Sequence, residues 1–342
     1  MKKIFLVIII ILSFCVTVTY LVLTKNVLPS LNKNPQIYRG VAFTPKDFTR
    51  SGFSDFYSKA QQTGNIVGWY GDWLELADYK KAPYVLTDSL KENNLDILLI
   101  ISPFLQSTGE FIRPLTPEVK QDYLQGMEMY LKKYQPKFLG IGIEVNVFAD
   151  KASEKLAAFV ELFNSAYDKA KSISPETRIF TVFQYEYLTG NRGGLFGGSD
   201  INVPQWDLLN KFNKADLFAF TSYPMLVFHD PKDIPQNYYS EVLKYTDKPV
   251  IFTELGWIRN LPDSLSNSLT DWQSTSEEQA EFITLFSIYT KDLHPQIVIW
   301  SFLYDQPSAP EFFRHAGLLG LATDFTDMTA WQAWQQYKLN NK

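Results

Sequence analysis

Cysteine is almost absent from this sequence, since Cys15 is the only one in 342 residues. A single thiol excludes a disulfide framework and any zinc site built from cysteines. Histidine is nearly as scarce, and the three histidines show no metal-ligand spacing. The sequence therefore predicts no metal site and implies no cofactor, so any chemistry must come from carboxylates, hydroxyls, aromatic side chains or the three histidines.

Glycine, proline and positive charge are not in excess either. The chain has 17 glycines, 18 prolines and no segment that repeats at a fixed period, which excludes low-complexity and solenoid architectures. Residues 1–37 contain four lysines and no acid, and the rest of the chain carries 28 basic against 37 acidic side chains. An acidic body of this kind makes nucleic acid an unfavourable partner.

Long hydrophobic runs are missing from the sequence except at its start. Residues 4–23 are uncharged and follow two lysines, and at about 1.5 Å per residue they span a bilayer core of about 30 Å. The core of a cleaved signal peptide is shorter, roughly 7–15 residues, and no small-x-small cleavage site follows Leu23. We therefore predict an N-terminal transmembrane anchor over residues 1–24, with a cleaved signal sequence as the alternative.

The short N-terminus favours a single-pass protein whose body lies outside the cytoplasm, or a secreted protein if the segment is cleaved. Residues 25–37 are polar, contain Pro29 and Pro35, and are predicted to be a linker. With 46% hydrophobic residues, the chain that follows has ample apolar material for a large core.

From Tyr38 onward, strand-like and helix-like patterns alternate, which is typical of βα units. Eight strand-like runs are found: 39–43, 65–71, 95–102, 137–145, 178–186, 216–224, 249–257 and 297–305. The clearest helical stretches are 117–134, 152–172, 276–292 and 329–339. This pattern predicts a (β/α)8 TIM barrel over residues 38–342. An open doubly wound sheet is the alternative, but no glycine-rich dinucleotide turn follows the first strand.

In a barrel of this kind the active site lies at the C-terminal ends of the strands. Two glutamates stand there, Glu144 in the fourth run and Glu254 in the seventh, and both follow apolar stretches. An ionisable group in such a place costs free energy unless it is paired or functional. Because strands four and seven face each other across the mouth, the two side chains can reach one cavity.

Two facing carboxyls suit glycosidic cleavage, in which a neutral acid protonates the departing oxygen while its ionised partner attacks the anomeric carbon. Aromatic rings at the mouth suit the C–H faces of a sugar. The candidate substrate-binding residues at the strand ends are Trp69, Trp73, Asn146, Tyr185, Glu186, Tyr223, Trp257 and Trp300.

Over residues 38–340 the sequence resembles the clan A retaining glycoside hydrolases. The segment KPVIFTELGW is similar to the strand that carries the nucleophile, which implies that role for Glu254, and FLGIGIEVNVF is similar to the acid/base strand, which implies that role for Glu144. SYP resembles the motif whose tyrosine, here Tyr223, lies beside the nucleophile, and Trp300 resembles the tryptophan that floors the sugar subsite. The endo-β-1,4-galactanase and β-mannanase families look nearest.

One position departs from the clan pattern. The acid/base glutamate usually follows an asparagine that bonds the sugar 2-hydroxyl, and this chain has Ile143 there. Asn146 stands two residues after Glu144, so on a continuous strand both side chains would point the same way. We expect Asn146 to supply the substitute amide.

These observations predict a membrane-anchored, extracytoplasmic retaining glycoside hydrolase that cleaves a β-linked poly- or oligosaccharide. A non-catalytic carbohydrate-binding barrel at the cell surface is the main alternative, motivated by Ile143. A scaffold that binds a protein partner is a third class, and it is less supported because the polar residues gather at the mouth.

Overall fold

Eight parallel strands form a barrel in the computed structural model, which describes residues 37–199, 202–261, 274–321 and 329–337. The predicted TIM barrel is confirmed. The barrel strands are β1 (Tyr38–Ala42), β2 (Ile66–Asp72), β3 (Asp96–Ser102), β4 (Phe138–Ile141), β5 (Arg178–Phe180 and Val182–Gln184), β6 (Phe218–Ser222), β7 (Val250–Leu255) and β8 (Ile297–Trp300).

The barrel closes through β5, which is interrupted at Thr181. Its first half pairs with β4, with Phe138 opposite Arg178, and its second half pairs with β6, with Val182 opposite Ala219. All other neighbours along the barrel are parallel pairs. One strand thus joins both ends of the sheet, and closure leaves no edge strand in the barrel.

Helices cover the outside of the barrel. Those described are α1 (Arg50–Thr63), α2 (Ala82–Glu92), α3 (Pro117–Tyr134), α4 (Val145–Lys151), α5 (Ser153–Ile173), α6 (Tyr185–Leu188), α7 (Asp207–Lys211), α8 (Ser276–Tyr289) and α9 (Thr329–Gln336). Short 3-10 turns lie at Trp73–Ala77, Gly194–Phe196, Pro224–Leu226, Pro231–Asp233, Tyr239–Lys244 and Glu311–Phe313. Two-residue strands at Phe104–Leu105 and Glu110–Phe111 pair with each other, as do Phe302–Tyr304 and Gly317–Leu319.

The long helices begin where their capping residues predict. The Thr116 side chain accepts a hydrogen bond from the Val119 amide, and Pro117 occupies the first turn of α3. Helix α8 begins with a capping box, in which the Thr275 hydroxyl accepts from the Glu278 amide and the Glu278 carboxylate accepts from the Thr275 amide. The predicted helix 117–134 is confirmed residue for residue.

Alternation along the strands separates two apolar clusters. Side chains such as Leu98, Ile251 and Ile299 fill the lumen, and their neighbours Leu99, Phe252 and Trp300 pack outward against the helices. The lumen is therefore a packed core, and space for a ligand exists only above it, at the C-terminal ends of the strands.

The last described helix, α9, packs on the outside of the barrel against α8 and α1. Arg39 at the start of β1 donates hydrogen bonds to the carbonyls of Trp334 and Tyr337, at the C-terminus of α9. A cation at this position meets the negative end of the helix dipole. The aromatic residues of this segment, Trp331, Trp334 and Tyr337, are buried.

The predicted membrane anchor over residues 1–24 and nearly all of the linker lie outside the described residues. Among the residues that are described, no helix is long and apolar enough to cross a membrane. The largest differences between the predicted and observed strands are in β4, which ends at Ile141 rather than at Val145, and in β8, which ends at Trp300 rather than at Asp305.

Candidate active site

Glu144 reaches the barrel mouth through a turn rather than from a strand. After β4 ends, Gly142 adopts a φ of 80° and Glu144 a φ of 53°, so both lie in the left-handed region. Helix α4 then begins at Val145. This conformation costs a non-glycine residue about 1–2 kcal/mol, and such strain is concentrated at functional sites.

Glu254 reaches the mouth because β7 contains a bulge. Phe252 pairs with Phe220 and Glu254 pairs with Thr221, which leaves Thr253 as an extra residue. Without the bulge, alternation from Ile251, which faces the lumen, would turn Glu254 outward toward the helices. The bulge shifts the alternation by one residue, so Leu255 packs outward instead.

A short hydrogen-bond chain holds Glu254. The Tyr223 hydroxyl lies 2.6 Å from Glu254 Oε2 and donates to it. Ser301 Oγ lies 2.7 Å from the Tyr223 hydroxyl oxygen and 3.0 Å from the Leu255 carbonyl oxygen. The phenol is therefore fixed from two sides, and it stabilises the ionised form of Glu254.

The two carboxyl groups interact electrostatically. Burial, followed by repulsion from Glu144, raises the pKa of Glu254 to about 7, while the Tyr223 hydrogen bond acts in the opposite direction. Burial also raises the pKa of Glu144, although hydrogen bonds from Thr221 and Gln106 oppose this. Thr221 Oγ1 lies 2.7 Å from Glu144 Oε1. Such a pair takes up its first proton near neutral pH, as an acid/base pair requires.

Glu186 is placed behind this pair rather than on the substrate side. It has no exposed surface, and both of its carboxyl oxygens accept hydrogen bonds. Ser222 Oγ lies 2.7 Å from Oε1, and the Tyr223 amide lies 3.2 Å from Oε2. The carboxyl is enclosed by its own protein partners, and its predicted contact with a sugar stays a prediction.

The Asn146 side chain also bonds to groups of the protein itself. It lies in helix α4, is fully buried, and exchanges two hydrogen bonds with the Gln184 backbone, at 2.9 and 2.8 Å. Its side-chain amide lies 3.3 Å from Gln205 as well. The expected alternation with Glu144 is wrong because Asn146 lies in helix α4 rather than on a strand. Its role as the substitute amide for the 2-hydroxyl stays a prediction.

The aromatic rings predicted to bind sugar are buried in the core between strands and helices, and their contact with a sugar stays a prediction. Trp300 lies outside the lumen and donates to the Ala316 carbonyl at 2.8 Å, and the Tyr185 hydroxyl donates to the Tyr238 carbonyl at 2.6 Å. Strand alternation turns Trp69 and Trp300 outward, whereas Trp73, Tyr185 and Trp257 follow the ends of their strands. The rings buried in the core are Trp69, Trp73, Tyr185, Trp257 and Trp300. Of the eight predicted substrate-binding residues, only Tyr223 contacts a predicted catalytic carboxylate.

Several residues at the mouth were not found from the sequence. Tyr70 faces the lumen and donates a hydrogen bond to the Thr253 carbonyl at the bulge of β7. Burial raises the pKa of Tyr187, and the charges of Asp150 and Glu144 add to the effect. The Arg192 guanidinium lies 5.0 Å above the Tyr187 ring, and Phe196 packs edge-on at 5.1 Å. The alternation of Trp69 and Tyr70 was the one signal that could have identified Tyr70 as the inward residue.

The described part of the chain contains no group of three or more His, Cys, Asp or Glu side chains arranged to hold a metal ion.

No protein-family model and no curated protein sequence matches the chain, but many solved structures do. An exo-β-1,4-mannosidase from Opitutaceae bacterium strain TAV5 matches with a TM-score of 0.65 and 14% identity, over 88% of this chain and 59% of its own length. Bacteroides uniformis β-glucuronidase 2 matches with a TM-score of 0.60 and 12% identity, over 89% of this chain and 35% of its own.

The Ignisphaera aggregans GH53 catalytic domain also matches, with a TM-score of 0.60 and 15% identity, over 90% of this chain and 98% of the domain. This chain therefore spans a minor or moderate part of the first two enzymes and nearly all of the third. The predicted resemblance to (β/α)8 glycoside hydrolases is confirmed at the level of the fold.

Proposed function

We propose that this protein is a glycoside hydrolase that cleaves a β-linked glycan by double displacement, with Glu254 as nucleophile and Glu144 as acid/base. The observation that carries the proposal is the placement of the two carboxyls at the mouth of one closed barrel. The Tyr223 phenol lies 2.6 Å from Glu254 Oε2 and donates to it, and Thr221 Oγ1 lies 2.7 Å from Glu144 Oε1. Burial and, secondly, the charge of Glu144 raise the pKa of Glu254 to about 7.

The two carboxyl groups have different roles in the first step. Glu254 attacks the anomeric carbon as the glycosidic C–O bond breaks, and Glu144 gives its proton to the departing oxygen. In the second step Glu144 takes a proton from water, which attacks the anomeric carbon and releases Glu254. The Tyr223 hydrogen bond favours the ionised state that Glu254 needs at the start of the first step.

The structural neighbours support the choice of substrate class. One is an exo-β-1,4-mannosidase and another a β-glucuronidase, so both are named for β-linked substrates. The neighbour that this chain spans almost completely is a GH53 catalytic domain. We propose a β-linked oligo- or polysaccharide on these grounds together with the sequence resemblance.

Two variants test the proposal on a panel of aryl β-glycosides. Glu254→Ala should abolish hydrolysis of every active substrate, because no covalent intermediate can form. Glu144→Ala should retain the first step for dinitrophenyl glycosides, whose leaving group needs no proton, and added azide should restore turnover. Unchanged hydrolysis in both variants would refute the assignment.

A covalent probe gives an independent test. The Bacteroides uniformis β-glucuronidase is described as covalently bound to a cyclophellitol-6-carboxylate aziridine. A panel of cyclophellitol aziridines of different sugar configuration should label this protein at Glu254, as shown by peptide mass spectrometry, and the reactive configuration would identify the sugar. Labelling of wild type at any other residue would contradict the role of Glu254.

A non-catalytic carbohydrate-binding barrel is the second candidate. Ile143 occupies the position of the usual asparagine and packs against the lumen cluster, while the Asn146 amide is bonded to Gln184. The 2-hydroxyl contact, worth several kcal/mol in the transition state, is then missing. Oligosaccharide binding by calorimetry with no turnover and no aziridine labelling would favour this candidate.

We also propose that residues 4–23 anchor the protein in a membrane with the barrel on the extracytoplasmic side. The uncharged run of 20 residues after two lysines supports this. Fractionation should recover the full chain with membranes, and protease added outside intact cells should degrade the barrel. Recovery of a shortened chain from the medium would instead indicate a cleaved signal sequence.

A further inference from the structure

Glu186 is a buried carboxyl group that the proposed reaction does not use. It has no exposed surface, and three groups donate to it: the Ser222 hydroxyl, the Tyr223 amide and the Gln184 side-chain amide. Among the described residues no lysine, arginine or histidine contributes to its electrostatic environment. A buried carboxyl without a cation is costly and needs a reason.

The position of Glu186 follows from how two strands end. The parallel ladder between β5 and β6 stops where Gln184 faces Thr221, because the chain turns into helix α6 at Tyr185. Strand β6 runs one residue further, so the Tyr223 amide has no β5 carbonyl to bond. The Glu186 side chain supplies the missing acceptor.

Tyr223 contacts both glutamates: its backbone amide donates to Glu186, and its phenol donates to the proposed nucleophile Glu254. Tyr223 has a φ of −132° and a ψ of 68°, outside regular structure, at the entry to the turn Pro224–Leu226. Its backbone is therefore held by the Glu186 carboxyl and by packing, and its hydroxyl lies 2.6 Å from Glu254 Oε2.

We propose that Glu186 is a positioning residue for this active site, which fixes the Ser222–Tyr223 turn and thereby keeps the Tyr223 phenol in hydrogen-bond contact with Glu254. The kinetic consequences of this proposal rest on the function assigned above. The geometric claim, that the contact between Tyr223 and Glu254 depends on Glu186, holds independently of that function.

The groups that face Glu186 are tyrosines whose ionisation is suppressed by burial. Tyr185 stands on its own helix, Tyr223 follows β6, and Tyr238 and Tyr239 approach from the segment before β7; burial raises the pKa of each well above its usual value. Tyr239 Oη lies 2.9 Å from Ser222 Oγ. None of these phenols loses its proton near neutral pH, so a change of charge at this site must come from Glu186 itself.

A double-mutant cycle tests the proposal on hydrolysis. Glu186→Ala removes the acceptor, so we expect kcat/KM to fall about ten- to a hundredfold through kcat, the scale of a small misplacement in an active site. In a Tyr223→Phe background, which already lacks the phenol hydroxyl, the same change should cost less than about threefold. A purely structural role would give equal losses in both backgrounds and would overturn the proposal.

The second readout needs no substrate. Because the Tyr223 hydrogen bond lowers the pKa of Glu254, both Glu186→Ala and Tyr223→Phe should shift that pKa upward. Carboxyl-carbon NMR of the full chain, with the Glu254 signal assigned by its loss in Glu254→Gln, measures the shift. An unchanged Glu254 titration overturns the proposal even if no glycoside is ever hydrolysed, so failure here differs from failure of the proposed function.

Glu186→Gln keeps an acceptor for the Tyr223 amide and removes the charge, so it separates positioning from ionisation. We expect kcat/KM within about threefold of wild type and an unchanged Glu254 pKa. The amide oxygen can still accept from the Tyr223 amide, and the amide NH2 can donate to Ser222 Oγ if that hydroxyl turns its hydrogen toward Tyr239. A loss as large as that of Tyr223→Phe would show that the charge matters instead and would reject positioning. This variant decides the question even if Glu186→Ala does not fold.

Glu278→Ala serves as the matched control, because it removes a carboxylate from the capping box of α8. It should lower the melting temperature without moving the Glu254 titration.

Discussion

Replacing the proposed nucleophile should make the folded protein more stable. The pKa of Glu254 is raised from an ordinary 4.5 to about 7, chiefly by burial and secondly by the charge of Glu144. At pH 8 the Glu254 carboxylate is ionised in both the folded and the unfolded chain. Only the folded chain is destabilised, because there the charge is buried and lies near Glu144. Glu254→Gln removes that charge and keeps an oxygen that can accept from Tyr223.

The size of the effect follows from the pKa difference. A difference of roughly 2.5 pKa units corresponds to about 3 kcal/mol, and partial solvent access reduces the expected gain to about 2 kcal/mol, or roughly 4 °C in melting temperature. Since the folded pKa lies above the unfolded one, wild-type stability falls as pH rises from about 4.5 to about 7 and is level above. The gain from Glu254→Gln should therefore be full at pH 8 and nearly vanish at pH 4.5.

Thermal unfolding of both full-length proteins across this pH range measures the gain. Glu128→Gln is the control of opposite sign, because hydrogen bonds from Lys132 and Lys169 lower the pKa of Glu128 to about 2, so its removal should not stabilise the protein at pH 8. If Glu254→Gln melts at or below the wild-type temperature at pH 8, or if its gain does not depend on pH, the electrostatic description of the carboxyl pair is wrong.

Two further predictions concern the opposite end of the barrel and the acid/base position. Arg39→Met removes the donors to the Trp334 and Tyr337 carbonyls and should lower the free energy of unfolding by about 2 kcal/mol. Urea denaturation measures this loss. Because Arg39 lies at the end of the barrel away from the active site, kcat/KM should not change. A large fall in kcat/KM would contradict that separation. Ile143→Asn returns an amide to the residue before Glu144 and should raise kcat/KM by at least about tenfold if the absent 2-hydroxyl contact limits turnover. Steady-state kinetics on the best aryl glycoside decides this, and a drop in rate with an intact fold would count against the comparison with the clan.

The fold follows from the sequence because its determinants are local and periodic. Strand runs of alternating or continuous apolar residues, separated by capped helices such as Pro117–Tyr134, repeat along residues 38–342. Capping side chains and proline act within a few residues of the helix ends. The confirmed barrel depends on these short-range signals and on the rule that parallel strands need a helical crossover.

The side-chain directions at the mouth were decided by the tertiary structure. The sequence places Glu144 and Glu254 near the ends of two apolar runs. It is a bulge at Thr253 that turns Glu254 inward, and a left-handed residue after a shortened β4 that positions Glu144. A change of one residue in register reverses which face a strand residue occupies, and nothing in the local pattern marks where that change falls.

The same reason explains the aromatic residues. The sequence shows that Trp69 and Trp300 stand near strand ends, but whether each ring faces a sugar or a helix depends on the register of neighbouring strands, which turned both into the core. Composition and periodicity thus determined the barrel and the two acidic positions. Only the packed structure determined which side chains share the mouth, because that depends on contacts between residues far apart in the chain, such as those of Glu186 with Ser222 and Tyr223.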